Sequence, residues 1–215
     1  DDGEEPAFPI GSPFIYLDRR SATDRLFSQP GNISVNAATH FICEHAVIVE
    51  SDPATFEALP GDPESVWLPS VASLGVHTSS GFFMCCRNLT HISMPQLQFV
   101  GRAAFSGTML ETVSLPLARA ASVGLFACCS RLVSVSMPAA TRVCNRAFCR
   151  CASLTEISLP AVRSVETKAF YQCAKLETVS LPSLVFVEAD AFAGCHSLTR
   201  IDAPEQATHT LPQIF

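Results

Sequence analysis

AFYQCAKLETVSLP, residues 169–182, is a phrase this chain repeats: AFCRCASLTEISLP stands at 147–160 and AFAGCHSLTRIDAP at 191–204. The prolines that close the phrase are Pro95, Pro116, Pro138, Pro160, Pro182 and Pro204, at steps of 21 and then 22 residues. The phenylalanines keep the same register: Phe83, Phe105, Phe126, Phe148, Phe170 and Phe192. Two residue types holding one period over more than a hundred residues mark a tandem array, in which each unit is one turn of a stack.

Each unit ends in an apolar-x-apolar-Pro phrase: VWLP (66–69), ISMP (92–95), VSLP (113–116), VSMP (135–138), ISLP (157–160), VSLP (179–182) and IDAP (201–204). The alternation is that of a short strand with one buried face, ended by a proline that has no amide to donate. Strands about twenty residues apart must return by a crossover, which makes neighbours parallel. Leu89, Leu110, Leu132, Leu154, Leu176 and Leu198 precede the strand's first apolar residue by three, and Val100, Ala121, Val143, Val165 and Val187 follow the proline by five. Ala104, Ala147, Ala169 and Ala191 precede the phenylalanine, with Leu125 in their place once. These columns predict a core that no unit can bury alone and that exists only by stacking.

The pattern Ala-Phe-x-x-Cys-x-x-Leu-x-x-Val/Ile-x-Leu-Pro resembles the subclass of leucine-rich repeats named after the bacterial surface protein BspA, over about 82–204 with a looser start near Val66. The resemblance implies a curved solenoid with parallel β-strands on the concave face and irregular or 3₁₀-like return segments. It also implies a non-catalytic interaction module of a microbial or protozoan cell surface, or a secreted one, engaged in adhesion or host interaction. The alternative is a cytoplasmic scaffold subunit of a protein complex. The unit here is one residue shorter than the subclass's usual one, and an insertion between Pro69 and Phe83 (VASLGVHTSSG) is expected to bulge as a loop.

The expected organisation is an acidic, proline-containing leader at 1–40, an N-terminal cap at 41–65, the array at 66–204, and a partial repeat or truncated end at 205–215. Such an end suggests a piece of a longer polypeptide. Net charge is −6, but residues 1–66 carry twelve acids against three arginines and the rest eight acids against eleven Lys/Arg. No dense basic stripe with interleaved aromatics speaks for nucleic acid. No apolar run approaches the roughly 18 residues of a membrane-spanning helix.

Of ten cysteines, Cys86, Cys129, Cys151, Cys173 and Cys195 all stand three residues before the repeat leucine. That column should face the core, where cysteine behaves as a small hydrophobe. Equivalent side chains of stacked coils point the same way at roughly 4.8 Å, beyond the preferred Cβ separation of ~3.8 Å in a disulfide, so reduced thiols are expected there. Cys43, Cys85, Cys128, Cys144 and Cys149 fall outside the column. For these, a local disulfide joining Cys144 to Cys128 or Cys149 and free surface thiols both remain open. The run Cys144-x4-Cys149-x-Cys151 matches no common zinc spacing, so no metal is expected.

The six histidines form no two-ligand helical motif, and neither a phosphate-binding glycine loop nor a GxSxG elbow occurs. Cys43-Glu44-His45 sets a thiol near an imidazole, but adjacent residues rarely make a nucleophile–base pair. No catalytic residue and no cofactor is expected.

The residue between the two buried strand positions should face outward on the concave sheet. That row reads Trp67, Ser93, Ser114, Ser136, Ser158, Ser180 and Asp202, and the row before it Ser65, His91, Thr112, Ser134, Glu156, Thr178 and Arg200. Small hydroxyls dominate. Trp67, Glu156, Arg200 and Asp202 are the distinctive candidates for contact with a protein or glycoprotein ligand, since aromatics and arginine are favoured at interface hot spots. Arg102, Arg119, Arg142, Arg146, Arg163 and Lys168 in the return segments make a second, basic candidate surface. Asn32 and Asn88 head Asn-x-Ser/Thr sequons, candidate glycosylation acceptors in a secretory compartment.

Overall fold

The computed structural model describes residues 14–17, 40–43, 65–67, 72–74, 81–84 and 86–205. Its three- and four-residue strands follow one another in three parallel sheets: β1 (Phe14–Leu17), β2 (His40–Cys43), β3 (Ser65–Trp67) and β5 (His91–Ser93); β7 (Thr112–Ser114) and β9 (Ser134–Ser136); β11 (Glu156–Ser158), β13 (Thr178–Ser180) and β15 (Arg200–Asp202), which together make the first column. Every pairing is parallel, as the crossover argument requires, and register keeps equivalent repeat positions level: Glu156, Thr178 and Arg200 lie in one row, Ser158, Ser180 and Asp202 in another. The backbone register also puts Phe14 and His40 level with Ser65 and His91. The leader, the cap and the C-terminal segment otherwise lie outside the described residues.

A second parallel column runs along the return segments, made of two-residue strands: β4 (Ser73–Leu74), β6 (Phe99–Val100), β8 (Ala120–Ala121), β10 (Arg142–Val143), β12 (Ser164–Val165) and β14 (Phe186–Val187). The return segments are therefore irregular only in part. Two residues are too few to show period-two patterning, which is why this column is invisible in the sequence as a strand. Leu74 takes the place of the repeat valine, five residues after Pro69 as Val100 is after Pro95. The extra residues of the insertion thus fall after Leu74, and 75–80 lie outside the described residues.

The proline does more than end a strand. The amide of Val162 donates to the carbonyl of Leu159 at 3.2 Å, and Leu97, Ala118, Ala140 and Leu184 repeat the bond to Met94, Leu115, Met137 and Leu181. Proline sits at the second position of each of these β-turns, where its fixed φ is preorganised. The residue closing the turn is buried in all five of these coils, adding a core column that the sequence reading missed.

The expected columns are buried through the middle of the array, with Cys86, Ile92, Val100, Cys195, Ile201 and Ala203 half-buried against the core at its ends. The six repeat phenylalanines form a continuous stack through the core, with ring centroids 5.6, 5.7, 5.6, 5.1 and 5.1 Å apart and neighbouring planes within 22° of parallel. Around this stack, each phenylalanine amide donates to the carbonyl of the residue before the next phenylalanine, as Phe148 does to Ala169 at 2.8 Å. A small residue before the phenylalanine lets the coils approach closely at that point.

In the five coils from Phe105 to Phe192 two positions adopt left-handed backbone, two residues before and two after the phenylalanine. The first set is Ala103, Gly124, Arg146, Lys168 and Asp190; the second is Gly107, Cys128, Arg150, Gln172 and Gly194. Left-handed conformation costs a non-glycine residue about 1–2 kcal/mol. Here it turns the amide of the second set toward the next coil: Gly107, Cys128, Arg150 and Gln172 donate to Ala127, Cys149, Tyr171 and Ala193 at 2.7–2.8 Å. The strain is offset by a bond between coils.

Candidate binding surface

The first column buries Val113, Val135, Ile157 and Val179 and leaves the residue on either side of each outward. His91, Thr112, Ser114, Ser134, Ser136, Glu156, Ser158, Arg200 and Asp202 are exposed, and Ser93, Thr178 and Ser180 are half-buried. All lie on one face, in the two rows read from the sequence. Trp67 shares the register row of Ser93 through the pairing of β3 with β5; its side chain lies outside the described residues.

At the C-terminal part of this face the rows enclose a groove of about 380 Å³. Its floor is Val135, Ile157 and Val179, and its walls are Ser134, Glu156, Ser158, Thr178, Ser180, Arg200 and Asp202. Glu156 and Arg200 are two strands apart in one row, roughly 9.6 Å at the usual strand spacing. The hydroxyl of Ser180 donates to a carboxylate oxygen of Asp202 at 3.3 Å. Three of the four distinctive candidates, Glu156, Arg200 and Asp202, are thus gathered in one depression among hydroxyls. The arrangement presents one positive and two negative charges with donors and acceptors between them, which suits a polar, extended segment.

The basic candidates do not gather as one patch. Arg119 packs its guanidinium over the ring of Phe99 at 4.9 Å and bonds Gln98, while Arg142 faces the Cys144 thiol at 4.0 Å. Arg146 and Lys168 stand in left-handed backbone at another corner of the coil, with the Lys168 ammonium 5.7 Å from the centre of the Tyr171 ring. Arg102 and Arg163 are exposed. Asn88 is exposed, beside Arg87, Thr90, Met109 and Arg131 on a second surface groove; Asn32, like Cys85, lies outside the described residues.

The cysteine column has a role the sequence did not reveal. Cys129, Cys151, Cys173 and Cys195 each donate a thiol hydrogen bond to a phenylalanine carbonyl of the preceding coil: Phe105 at 3.0 Å, Phe126 at 3.2 Å, Phe148 at 3.0 Å and Phe170 at 3.0 Å. Phe126, Phe148 and Phe170 also receive the amide of their own coil's cysteine. Thr108 replaces cysteine in this column and donates to Phe105 of its own coil at 2.9 Å, with its hydroxyl 3.4 Å from the Cys129 sulfur. Burial pushes the Cys129 thiol up to about 11. Cys173 is raised by its bond with Cys151 and by burial, and Cys195 by its bond with Cys173. These thiols are held protonated, as structural donors.

Among the described residues no group of three or more His, Cys, Asp or Glu side chains is placed to hold a metal ion. Nor, among them, is any helix long and apolar enough to cross a membrane.

Residues 119–215 match the BspA type leucine-rich repeat region family, in six copies. Among solved structures, a leucine-rich repeat protein from Eubacterium ventriosum has a TM-score of 0.53 at 17% identity, over 80% of this chain and 56% of that one. A leucine-rich repeat protein from Bacteroides ovatus has a TM-score of 0.47 at 17% identity, over 84% and 52%. A leucine-rich cell surface protein from Faecalibacterium prausnitzii has 0.39 at 15%, over 84% and 67%. The chain spans about half the length of the first two. No curated protein matches it.

Proposed function

From the premise that residues 119–215 belong to the BspA-type leucine-rich repeats, we propose that this chain is a non-catalytic protein-interaction module of a microbial or protozoan cell surface or secretion, serving adhesion or host interaction. Leucine-rich repeat arrays are generally non-enzymatic and commonly bind proteins. The observation that carries the reading is the groove of Ser134, Glu156, Ser158, Thr178, Ser180, Arg200 and Asp202, polar, charged at both walls and built on rigid strands. An extended segment of a protein or glycoprotein partner lies along it, its own charges meeting Glu156 and Arg200. Electrostatic complementarity of this kind sets register and partner choice more than raw affinity.

The buried thiol column favours a second reading, an intracellular scaffold subunit, because cytosolic compartments keep cysteines reduced. Labelling intact source cells with an antibody to this chain separates the two. Labelling without permeabilisation is expected for the surface module, and labelling only after permeabilisation would sink it.

A further inference from the structure

Cys128 and Cys149 belong to adjacent coils, and neither takes part in the thiol column. The amide of Cys128 donates to the carbonyl of Cys149 at 2.7 Å. By standard bond lengths this keeps the two Cα atoms within roughly 7 Å, on the scale of the ~4.4–6.8 Å that disulfides span. Cys128 is exposed and stands in left-handed backbone, at φ 62°. Cys149 lies at the surface margin, 9% exposed. The corresponding pairs in other coils, Arg150 with Tyr171 and Gln172 with Ala193, make the same backbone bond with no thiol on either side. Two cysteines meeting here is therefore not a demand of the repeat.

We propose that Cys128 and Cys149 form a reversible disulfide clip between neighbouring coils, with an anionic low-molecular-weight disulfide such as glutathione disulfide as oxidant. The Cys128 thiolate attacks one sulfur of that disulfide, forming a mixed disulfide and expelling one glutathione thiolate. The Cys149 thiolate then attacks Cys128 Sγ and expels the second glutathione. The two protein thiols together lose two electrons and two protons, and both protons end on the released glutathione thiols. Burial, and after it the neighbouring Cys128, raise the Cys149 thiol above its ordinary value, and the nearby Arg150, Arg146 and Lys168 offset this only in part. The same cations attract the anionic oxidant. Cys144, facing Arg142 on the second column, is not the partner.

Incubating the reduced chain with glutathione disulfide, alkylating the remaining thiols and mapping the peptides tests this. The wild type is expected to lose two alkylatable thiols, to yield a single linked peptide pair spanning 128 and 149, and to show a raised melting temperature. Cys149→Ser is expected to stop with one glutathione retained on Cys128, and Cys144→Ser to form the same link as the wild type. Glutathione retained on Cys128 of the wild type, a link to Cys144, or no reaction at Cys128 would each overturn the proposal. Because Cys128 is exposed, Cys128→Ser keeps the fold and should abolish the link.

Discussion

The thiol of Cys151 donates to the carbonyl oxygen of Phe126, 3.2 Å away in the preceding coil, and that oxygen also takes the amide of Cys129. A cysteine in the middle of the repeated phrase is thus a small buried residue that also carries a donor across to the neighbouring coil. Thr108 puts a hydroxyl in the same column, bonded to the phenylalanine carbonyl of its own coil. Cys151→Thr should therefore be more stable than its near-isostere Cys151→Val by about 1 kcal/mol, the usual worth of one internal hydrogen bond. Urea denaturation of the pair measures this, and a valine variant equal to or better than the threonine one would remove the thiol's bonding role.

The buried thiols give the fold a pH dependence with a definite sign. Cys129 is raised from its ordinary 9.0 to about 11, so above pH 9 the unfolded chain loses this proton before the folded chain does. Stability is fully present below pH 9 and falls as pH rises toward 11, at up to about 1.4 kcal/mol per pH unit for each such thiol. Cys151, Cys173 and Cys195 are raised as well and add to the same fall. Denaturation midpoints at pH 8 and 10 should show the loss, and Cys129→Thr should lessen it. A flat profile would contradict this.

Phe148 has a parallel ring on either side, at 5.6 and 5.1 Å, and no exposure. Truncation leaves a cavity that neighbouring coils cannot close without breaking their backbone bonds. Phe148→Ala should cost about 3–5 kcal/mol, measured by the shift in urea midpoint at unchanged slope.

Left-handed residues separate two kinds of glycine substitution. Arg150 and Gln172 lie at φ 61° and 58° with exposed side chains, so Arg150→Gly and Gln172→Gly should change stability by no more than about 1 kcal/mol, toward greater stability. Gly81 is the opposite case: a Cβ there would lie 1.8 Å from the carbonyl oxygen of Ala103. Gly81→Ala should destabilise by about 2 kcal/mol or more through displacement of the first described Ala-Phe turn. Thermal melts of the three variants check both directions.

The coil was legible because Phe, Leu, Pro and the strand valines recur at a fixed period, and recurrence survives where local propensity is weak. What escaped has physical causes. The second column rests on pairs such as Arg142–Val143 and Phe186–Val187, too short to alternate. Left-handed sites accept Arg, Lys, Gln, Asp, Ala and Cys, so composition gives no sign of them. The turn-closing core column varies from Leu97 through Ala118 to Val162 and hides its own period. The outward rows of the strand face were legible, because a strand with one buried row fixes the other. The groove was not, since it arises from four adjacent coils together.

The most direct measurement places a photoreactive residue at Ser180, in the groove, or at Ser164, on the second column, and illuminates each protein bound to living cells that the source organism contacts. A discrete covalent adduct from position 180 and none from 164 is the predicted result. An adduct from 164 alone, or from neither position while the protein remains cell-bound, would contradict a partner seated on the strand face.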